Sequence, residues 1–386
     1  MGKIIFIGES LDKLGGIERV INTLANNLSK RYEVEAISYS KNRDKPFFTY
    51  NSNIKFVTII DNTNLKSTKF RHNKAMYLLM RAVEKTNNFL KSLYYVKKYT
   101  KQFCEDDILV FGRVEMALTF LPYIKKVKKI IVREASHIYN HKNLDYLKKQ
   151  FLGKVDLFIV SSDENINEYN KLFDNMLTIK KIYNPLGIEP RGGVDSDSKV
   201  VISVGRYALQ KGFDVLLRSW VTVVKKNPDW KLKILGDGYY KEQMEKMINE
   251  LNIYNNVELV PNNPDVVSEL EKASIFVMTS RIEGYANALV EAMACGLACV
   301  SFDWVMGVND IIKQGSNGLI VPLVDRKKYM NYSYWNLKDV DNMADAINNL
   351  IMNKELRHKL GREATKIIDS RKQDIIIKKW EDYILK

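Results

Sequence analysis

Short apolar runs recur along the chain, separated by longer stretches in which apolar positions return every three or four residues, the rhythm of strands alternating with amphipathic helices. In the first half, Lys3 to Ile7, Glu33 to Ile37, Ile54 to Ile59, Ile108 to Phe111, Lys129 to Val132 and Leu157 to Val160 read as strands, with helical patterns such as Ile17 to Leu28 between most of them. The second half restarts the rhythm with Val200 to Val204, Lys231 to Leu235, Val257 to Val260, Ile275 to Met278, Ala298 to Phe302 and Gly318 to Val321. Strands that are nearly all apolar belong in a parallel sheet covered on both faces. The expected fold class is therefore α/β, with two Rossmann-like domains facing across a cleft, where ligands bind at the carboxyl ends of the strands.

Asn184-Pro185-Leu186-Gly187 and the stretch Pro190 to Ser198 carry turn residues and little apolar content, which places a linker between the halves. The expected boundaries are a first domain of residues 1–187, a second of 188–370, and a terminal helix in 371–386. A chain of 386 residues exceeds the size at which one core keeps growing, which independently calls for two domains. With 46% hydrophobic and 27% charged residues and no low-complexity tract, disordered and fibrous classes are excluded. The opening MGKIIFIGES runs straight into a strand pattern, and no apolar run reaches the ~18 residues of a spanning helix, so a cytoplasmic location is expected. Cys104, Cys295 and Cys299 match neither a disulfide framework nor zinc-finger spacing. They read as reduced thiols, the last two as small core residues.

The net charge of +14 is unevenly distributed: residues 1–190 hold 32 Lys and Arg against 20 Asp and Glu, and the remainder 28 against 26. From Lys66 to Lys101 there are ten basic residues and one acid, Glu84, interleaved with Phe70, Tyr77, Leu78, Met80, Phe89, Tyr94 and Tyr95. Two readings stand, a helix lying on an anionic membrane surface or an ordinary solvated helix face.

Three segments of the second half carry candidate chemistry. In VISVGRYALQKGFDVLL, Gly205 and Arg206 follow a strand and Lys211 opens a helix, two cations five residues apart at a helix N-terminus, a combination suited to a diphosphate. In LGDGYYKEQ, Gly236 and Gly238 permit either a tight turn or the close approach of a ligand. In SRIEGYANALVEAMACG, Glu283 ends a loop, Gly284 frees the backbone, Tyr285, Ala286 and Asn287 complete the turn, and Glu291 follows eight residues after Glu283. At 3.6 residues per turn that interval would carry Glu291 a little over two turns along, so the two carboxylates would meet separate parts of one elongated ligand. The neighbours of Glu291 are too apolar for an exposed helix, which makes a buried carboxylate there costly unless a ligand or partner meets it.

In that order, GRYALQKG, LGDG and the E-x7-E motif in IEGYANALVEAMACG resemble the family 4 retaining glycosyltransferases of the GT-B fold, of the bacterial surface-polysaccharide type. The likeness is strongest over residues 200–322 and continues in the first half through Gly15 and Gly16, a glycine pair after the first strand where the family has a loop near donor phosphate and acceptor. The resemblance implies that Arg206 and Lys211 bind the diphosphate, that Glu283 meets the hydroxyls of the transferred sugar, and that Glu291 holds the ribose. It implies further that the terminal helix, around Asp374 to Leu385, returns onto the N-terminal, acceptor-side domain. Many family members have a histidine after the strand that here reads KIIVREASHIYN. This chain has Arg133 and Glu134 there and His137 later, so which of the three contacts the sugar stays open.

The implied activity is metal-independent, retaining transfer of a hexose or N-acetylhexosamine from a nucleotide sugar, expected to be a UDP-sugar, to a glycan or lipid-linked acceptor in lipopolysaccharide O-antigen or capsule synthesis. The implied protein works without a cofactor, on the inner face of the plasma membrane as a peripheral protein. No D-x-D stands at a strand end, and Asp195-Ser196-Asp197 falls in the linker as a solvated turn. His72, His141 and His358 read as surface residues. A nucleotide-sugar epimerase on the GT-B fold is the alternative, and it would need no acceptor. Nucleic-acid binding would rest on charge alone, without a binding motif.

Overall fold

The computed structural model describes residues 2–13, 15–41, 43–61, 93–134, 144–263, 265–304 and 307–385. Most of the basic stretch from Lys66 to Lys101, with His72, His137 and His141, lies outside these. The chain divides into two compact units, one of Met1–Ser161, Ile166–Pro185 and Ile376–Lys386, the other of Ser162–Asn165 and Leu186–Ile375.

The first unit is built on seven strands, β1 (Ile4–Gly8), β2 (Val34–Lys41), β3 (Lys55–Asp61), β4 (Ile108–Phe111), β5 (Lys129–Arg133), β6 (Leu157–Val160) and β7 (Ile179–Lys181), in the order β3-β2-β1-β4-β5-β6-β7. Every pairing is parallel. Successive side chains of a strand point to opposite faces, and both faces are buried: Ile5, Ile7, Leu109, Phe111 and Val132 join one apolar cluster, while Ile4, Phe6, Ile108, Val110 and Ile131 join another. That double burial is why the strands read as continuous apolar runs. Helix Gly16–Leu28 packs Val20, Ile21, Leu24, Ala25 and Leu28 inward, one stripe at helical spacing. The periodicity does not predict β7, because it is only three residues long and Lys180 at its centre is exposed.

The second unit contains β8 (Val200–Val204), β9 (Lys231–Leu235), β10 (Val257–Val260), β11 (Ile275–Met278), β12 (Ala298–Phe302) and β13 (Leu319–Val321), in the order β10-β9-β8-β11-β12-β13 and again wholly parallel. Each sheet grows outward in one direction from its first strand and then in the other, so a switch point falls between β1 and β4 and another between β8 and β11. Connections leaving two such strands turn opposite ways and open a crevice at their carboxyl ends, where ligands of open α/β sheets bind. Cys295 and Cys299 lie buried in this unit's apolar core. Burial, reinforced by Glu271 and Glu291, pushes the Cys295 thiol up to about 12.

Residues 182–199 hold no regular element. Asp197 lies exposed in a turn, as read from the sequence, and there accepts from Lys354 Nζ at 2.7 Å and lies 2.9 Å from His358 Nε2, a pairing at the surface. The sequence pattern missed this because the partners are about 160 residues away on helix Lys354–Ala364. Helix Gln373–Leu385 buries Ile376, Ile377, Trp380 and Ile384 in the cluster that contains Ile4 and Phe6 of the first unit. Arg31 Nη1 donates to both oxygens of Glu381, at 3.0 and 3.1 Å, on the same helix.

Candidate functional site

Gly205, at the end of β8, opens the loop that carries the first motif, and the stem of Lys211 folds back over it: a Cβ on Gly205 would sit 3.3 Å from Cδ and Cε of that lysine. Arg206 is exposed and has no ion-pair partner among the described residues. Tyr207 anchors the loop from beneath, with its buried hydroxyl 2.7 Å from the Ile234 carbonyl oxygen and 3.0 Å from that of Val260. Gly236 at the end of β9 packs so tightly that a Cβ there would lie 2.0 Å from the Gly205 carbonyl oxygen. Gly238 has φ +155 and a would-be Cβ 2.4 Å from the Tyr207 carbonyl oxygen. Both glycines are therefore required by backbone approach between adjacent loops.

The loop after β11 comes to the same place. Lys211 Nζ lies 2.6 Å from Glu283 Oε1, and Ser280 Oγ donates to that oxygen at 2.6 Å. The two charged side chains are mostly buried, at 18% and 9% exposure, so their mutual attraction is screened far less than that of a surface pair. Backbone contacts zip the loops together: Arg281 N donates to the Gln210 carbonyl oxygen at 2.8 Å, Gln210 Nε2 to that of Ile282 at 2.8 Å, and Thr279 Oγ1 to that of Lys211 at 3.2 Å. Gly212, with φ +65, lets the chain turn into helix Phe213–Lys226, and a Cβ there would sit 2.0 Å from the Thr279 carbonyl oxygen.

Past Gly284, Tyr285 and Ala286, helix Asn287–Cys295 begins with no side-chain cap. Its first N–H groups carry the positive end of the helix dipole, the kind of place where anions bind. The motif glutamates are thus not two turns apart on one helix. Glu283 precedes it, and Glu291, buried at 5% exposure, stands four residues inside, a little over one turn. Arg371, which the sequence motifs do not include, is 2% exposed and donates from Nε to the Tyr285 hydroxyl at 2.6 Å.

This arrangement, two cations, a carboxylate and a helix N-terminus without a side-chain cap at the switch point of a six-stranded parallel sheet, lies in residues 188–367, which match the family model described as glycosyl transferases group 1. Over these residues, slightly under half of the chain, the sequence is similar to a glycosyl transferase domain. Among sequence relatives, an uncharacterized glycosyltransferase of Haemophilus influenzae is 26% identical over 386 residues, covering 99% of both chains. A Campylobacter jejuni N-acetylgalactosaminyltransferase, named for a diphospho-undecaprenol-linked acceptor, is 26% identical over 357 residues, covering 87% of this chain and 90% of its own. Among solved structures, a variant of Staphylococcus aureus TarM in complex with UDP, α-GlcNAc-glycerol and fondaparinux superposes with a TM-score of 0.77 at 16% identity, over 100% of both chains. The fold of this glycosyltransferase is GT-B, with two Rossmann-like domains.

The remaining candidates of the transferase lie in the first unit. Gly15 is the extended residue before helix Gly16–Leu28, and a Cβ on it would meet Glu18 Oε2 at 2.1 Å. Burial raises the Glu18 carboxyl above the ordinary carboxylate range, with Glu9 adding to the shift. Arg133 ends β5 and donates to Asn184 Oδ1, while Glu134 follows it with its N–H on the Ile159 carbonyl oxygen, and both side chains are buried. His137 lies outside the described residues. The structure brings Gly205, Lys211, Gly236 and Glu283 together on three neighbouring loops, after β8, β9 and β11, with Arg206 on the first of them and the Gly284–Asn287 turn on the last. Gly15, Gly16, Arg133 and Glu134 are placed on the other unit.

Proposed function

We propose that this glycosyltransferase moves a hexose or N-acetylhexosamine from a UDP-sugar to a lipid-linked or glycan acceptor in surface polysaccharide synthesis, with retention at the anomeric carbon and without a metal. The observation that carries the reading is the contact of Lys211 Nζ with Glu283 Oε1 at 2.6 Å, at the carboxyl ends of β8 and β11. The contact supports a reading in which the cation serves a leaving phosphate and the carboxylate beside it serves sugar hydroxyls. The UDP in the TarM complex and the undecaprenol-linked acceptor in the name of the Campylobacter enzyme support the substrate classes.

In this reading the bond between the anomeric carbon and the β-phosphate oxygen breaks, and a bond from that carbon to the acceptor oxygen forms on the same face. The acceptor proton passes to the departing phosphate, so UDP and a glycoside are the products. Arg206, Lys211 and the N–H groups at the start of helix Asn287–Cys295 meet the charge that develops on the diphosphate, the task otherwise given to a divalent ion. Glu283, fixed by Lys211 and Ser280, accepts from the sugar's hydroxyls, and Glu291 from the ribose. Arg133, Glu134 and His137 supply the acceptor side.

Incubating the protein with a panel of nucleotide sugars, with and without EDTA, tests this directly. Consumption of one or more UDP-sugars, undiminished by chelator, is expected. Loss of turnover in EDTA with recovery in Mn²⁺ or Mg²⁺ overturns the mechanism, and conversion of the sugar to its epimer without acceptor overturns the reaction class.

A further inference from the structure

The Lys211–Glu283 pair does not hold itself in place, because Lys211 belongs to the loop after β8 and Glu283 to the loop after β11. One side chain links the two loops to each other and to the helix behind them. Arg281, two residues before Glu283, has a side chain with 0% exposure. Its Nη1 and Nη2 donate to Asp214 Oδ1 and Oδ2 at 2.7 and 2.8 Å, a two-point fork on the first turn of helix Phe213–Lys226. Nη1 also donates to the Leu209 carbonyl oxygen at 2.8 Å, in the loop that leads to Lys211, and Nη2 to that of Tyr334 at 3.1 Å. The Tyr329 ring lies under the guanidinium, 5.0 Å from centroid to Cζ, while its hydroxyl donates to the Thr279 carbonyl oxygen at 2.8 Å. The Nε of Arg281 has no partner among the described residues.

We propose that Arg281, clamped by Asp214, is a positioning residue of the transfer reaction: it sets the register of the Leu209–Lys211 turn against the Ser280–Glu283 loop and so fixes Lys211 relative to Glu283. A buried ion pair is a poor device for stability, since the desolvation of both charges offsets their attraction, and well-packed apolar replacements often do as well. A planar fork reaching two oxygens of one carboxylate and carbonyls of two other segments does what an apolar contact does not, which is to fix direction as well as distance. An ångström of misplacement at a reacting centre costs on the order of 10²-fold in rate; Arg371 holds the far end of the Glu283 loop through Tyr285, whereas Arg281 reaches both that loop and the one that carries Lys211.

The proposal rests on the roles given above to Lys211 and Glu283, and the test separates the two. The substrate is the UDP-sugar that the parent consumes in the panel, with UDP binding and thermal unfolding measured alongside. The double variant Arg281→Met with Asp214→Leu removes both charges at once. It is expected to melt no lower than the parent while kcat falls on the order of 10²-fold, more than KM for the donor rises. In that background Glu283→Ala should cost several-fold less than it costs the parent, because the glutamate is already out of register. Arg281→Lys, which keeps the charge but loses the fork, should also fold and should not restore kcat. If Glu283→Ala cuts kcat equally in both backgrounds, or if either folded Arg281 variant keeps the parent's kcat, Arg281 is only part of the core and the proposal falls. If Glu283→Ala and Lys211→Ala leave kcat of the otherwise unaltered chain intact, the functional reading itself has failed.

Discussion

At the scale of single residues, the two motif glutamates sit in different surroundings and should fail differently. Glu283 is held in the loop by Lys211 and Ser280, whereas Glu291 is buried a turn inside a helix. Glu283→Ala is expected to lower kcat by about 10²- to 10³-fold, the usual cost of a lost preorganised contact. Glu291→Ala is expected to weaken UDP binding by roughly 10- to 10²-fold, the range for a lost hydrogen bond to a charged group. Calorimetry with UDP alongside steady-state rates checks both, and equal loss of UDP affinity in the two variants refutes the division. A further residue-scale prediction concerns Glu18, whose carboxyl is raised by burial. A raised folded-state pKa favours the fold while the group is protonated, and that contribution is lost as pH rises through the raised value. Glu18→Gln should therefore raise the melting temperature more at about pH 7 than at about pH 4, and an equal effect at both would refute it. What the sequence revealed at this scale was residue type and place in a loop. It did not reveal which side chains touch: Lys211 and Glu283 are 72 positions apart, Arg281 and Asp214 are 67, and Arg371 meets Tyr285 across 86. Such pairings follow from sheet order, which no local pattern contains.

At the scale of elements, the apolar runs were informative because both faces of both sheets are buried. A run such as β12, Ala298–Phe302, has no polar side to interrupt it. The same logic accounts for the misses. β2 continues to Lys41, beyond the predicted Ile37, through Ser38 and Ser40, which satisfy polar contacts at the strand end instead of filling a core. β7 is too short and too exposed at Lys180 to form a run at all. By contrast, Glu283 at a loop end and the turn after Gly284 were legible, and the helix starts at Asn287, which leaves Glu291 only four residues inside it. Helix Gln373–Leu385 gives a prediction of its own. Trp380 is 1% exposed in the core of the first unit, so Trp380→Ala should cost about 3–5 kcal/mol in unfolding free energy. UDP affinity, which the proposed function assigns to the other unit's loops, should not change. Denaturant unfolding and calorimetry would measure the two quantities, and a parallel loss of UDP binding in the folded variant would count against that separation.

At the scale of the whole molecule, the excess of basic over acidic residues falls almost entirely in residues 1–190. Where described, the edge of the basic stretch presents Tyr94 and Tyr95 at 63% and 44% exposure. If this surface docks on anionic lipid, vesicles containing phosphatidylglycerol should retain the protein at low salt and release it as the Debye length shrinks from ~10 Å at 0.1 M to ~3 Å at 1 M. Replacing Lys91, Lys97, Lys98 and Lys101 with Glu should abolish retention and leave UDP binding intact. Co-sedimentation of this variant as well as the parent would leave only a solvated face. The division of the chain carries a different consequence, for biosynthesis. Ile376, Trp380 and Ile384 share one cluster with Ile4 and Phe6, and the whole stretch Leu186–Ile375 is translated between them. On the ribosome, the unit that begins first must wait for the other to be made before it can close. Until then its apolar seat for that helix stands open, and the nascent chain has reason to need a chaperone there.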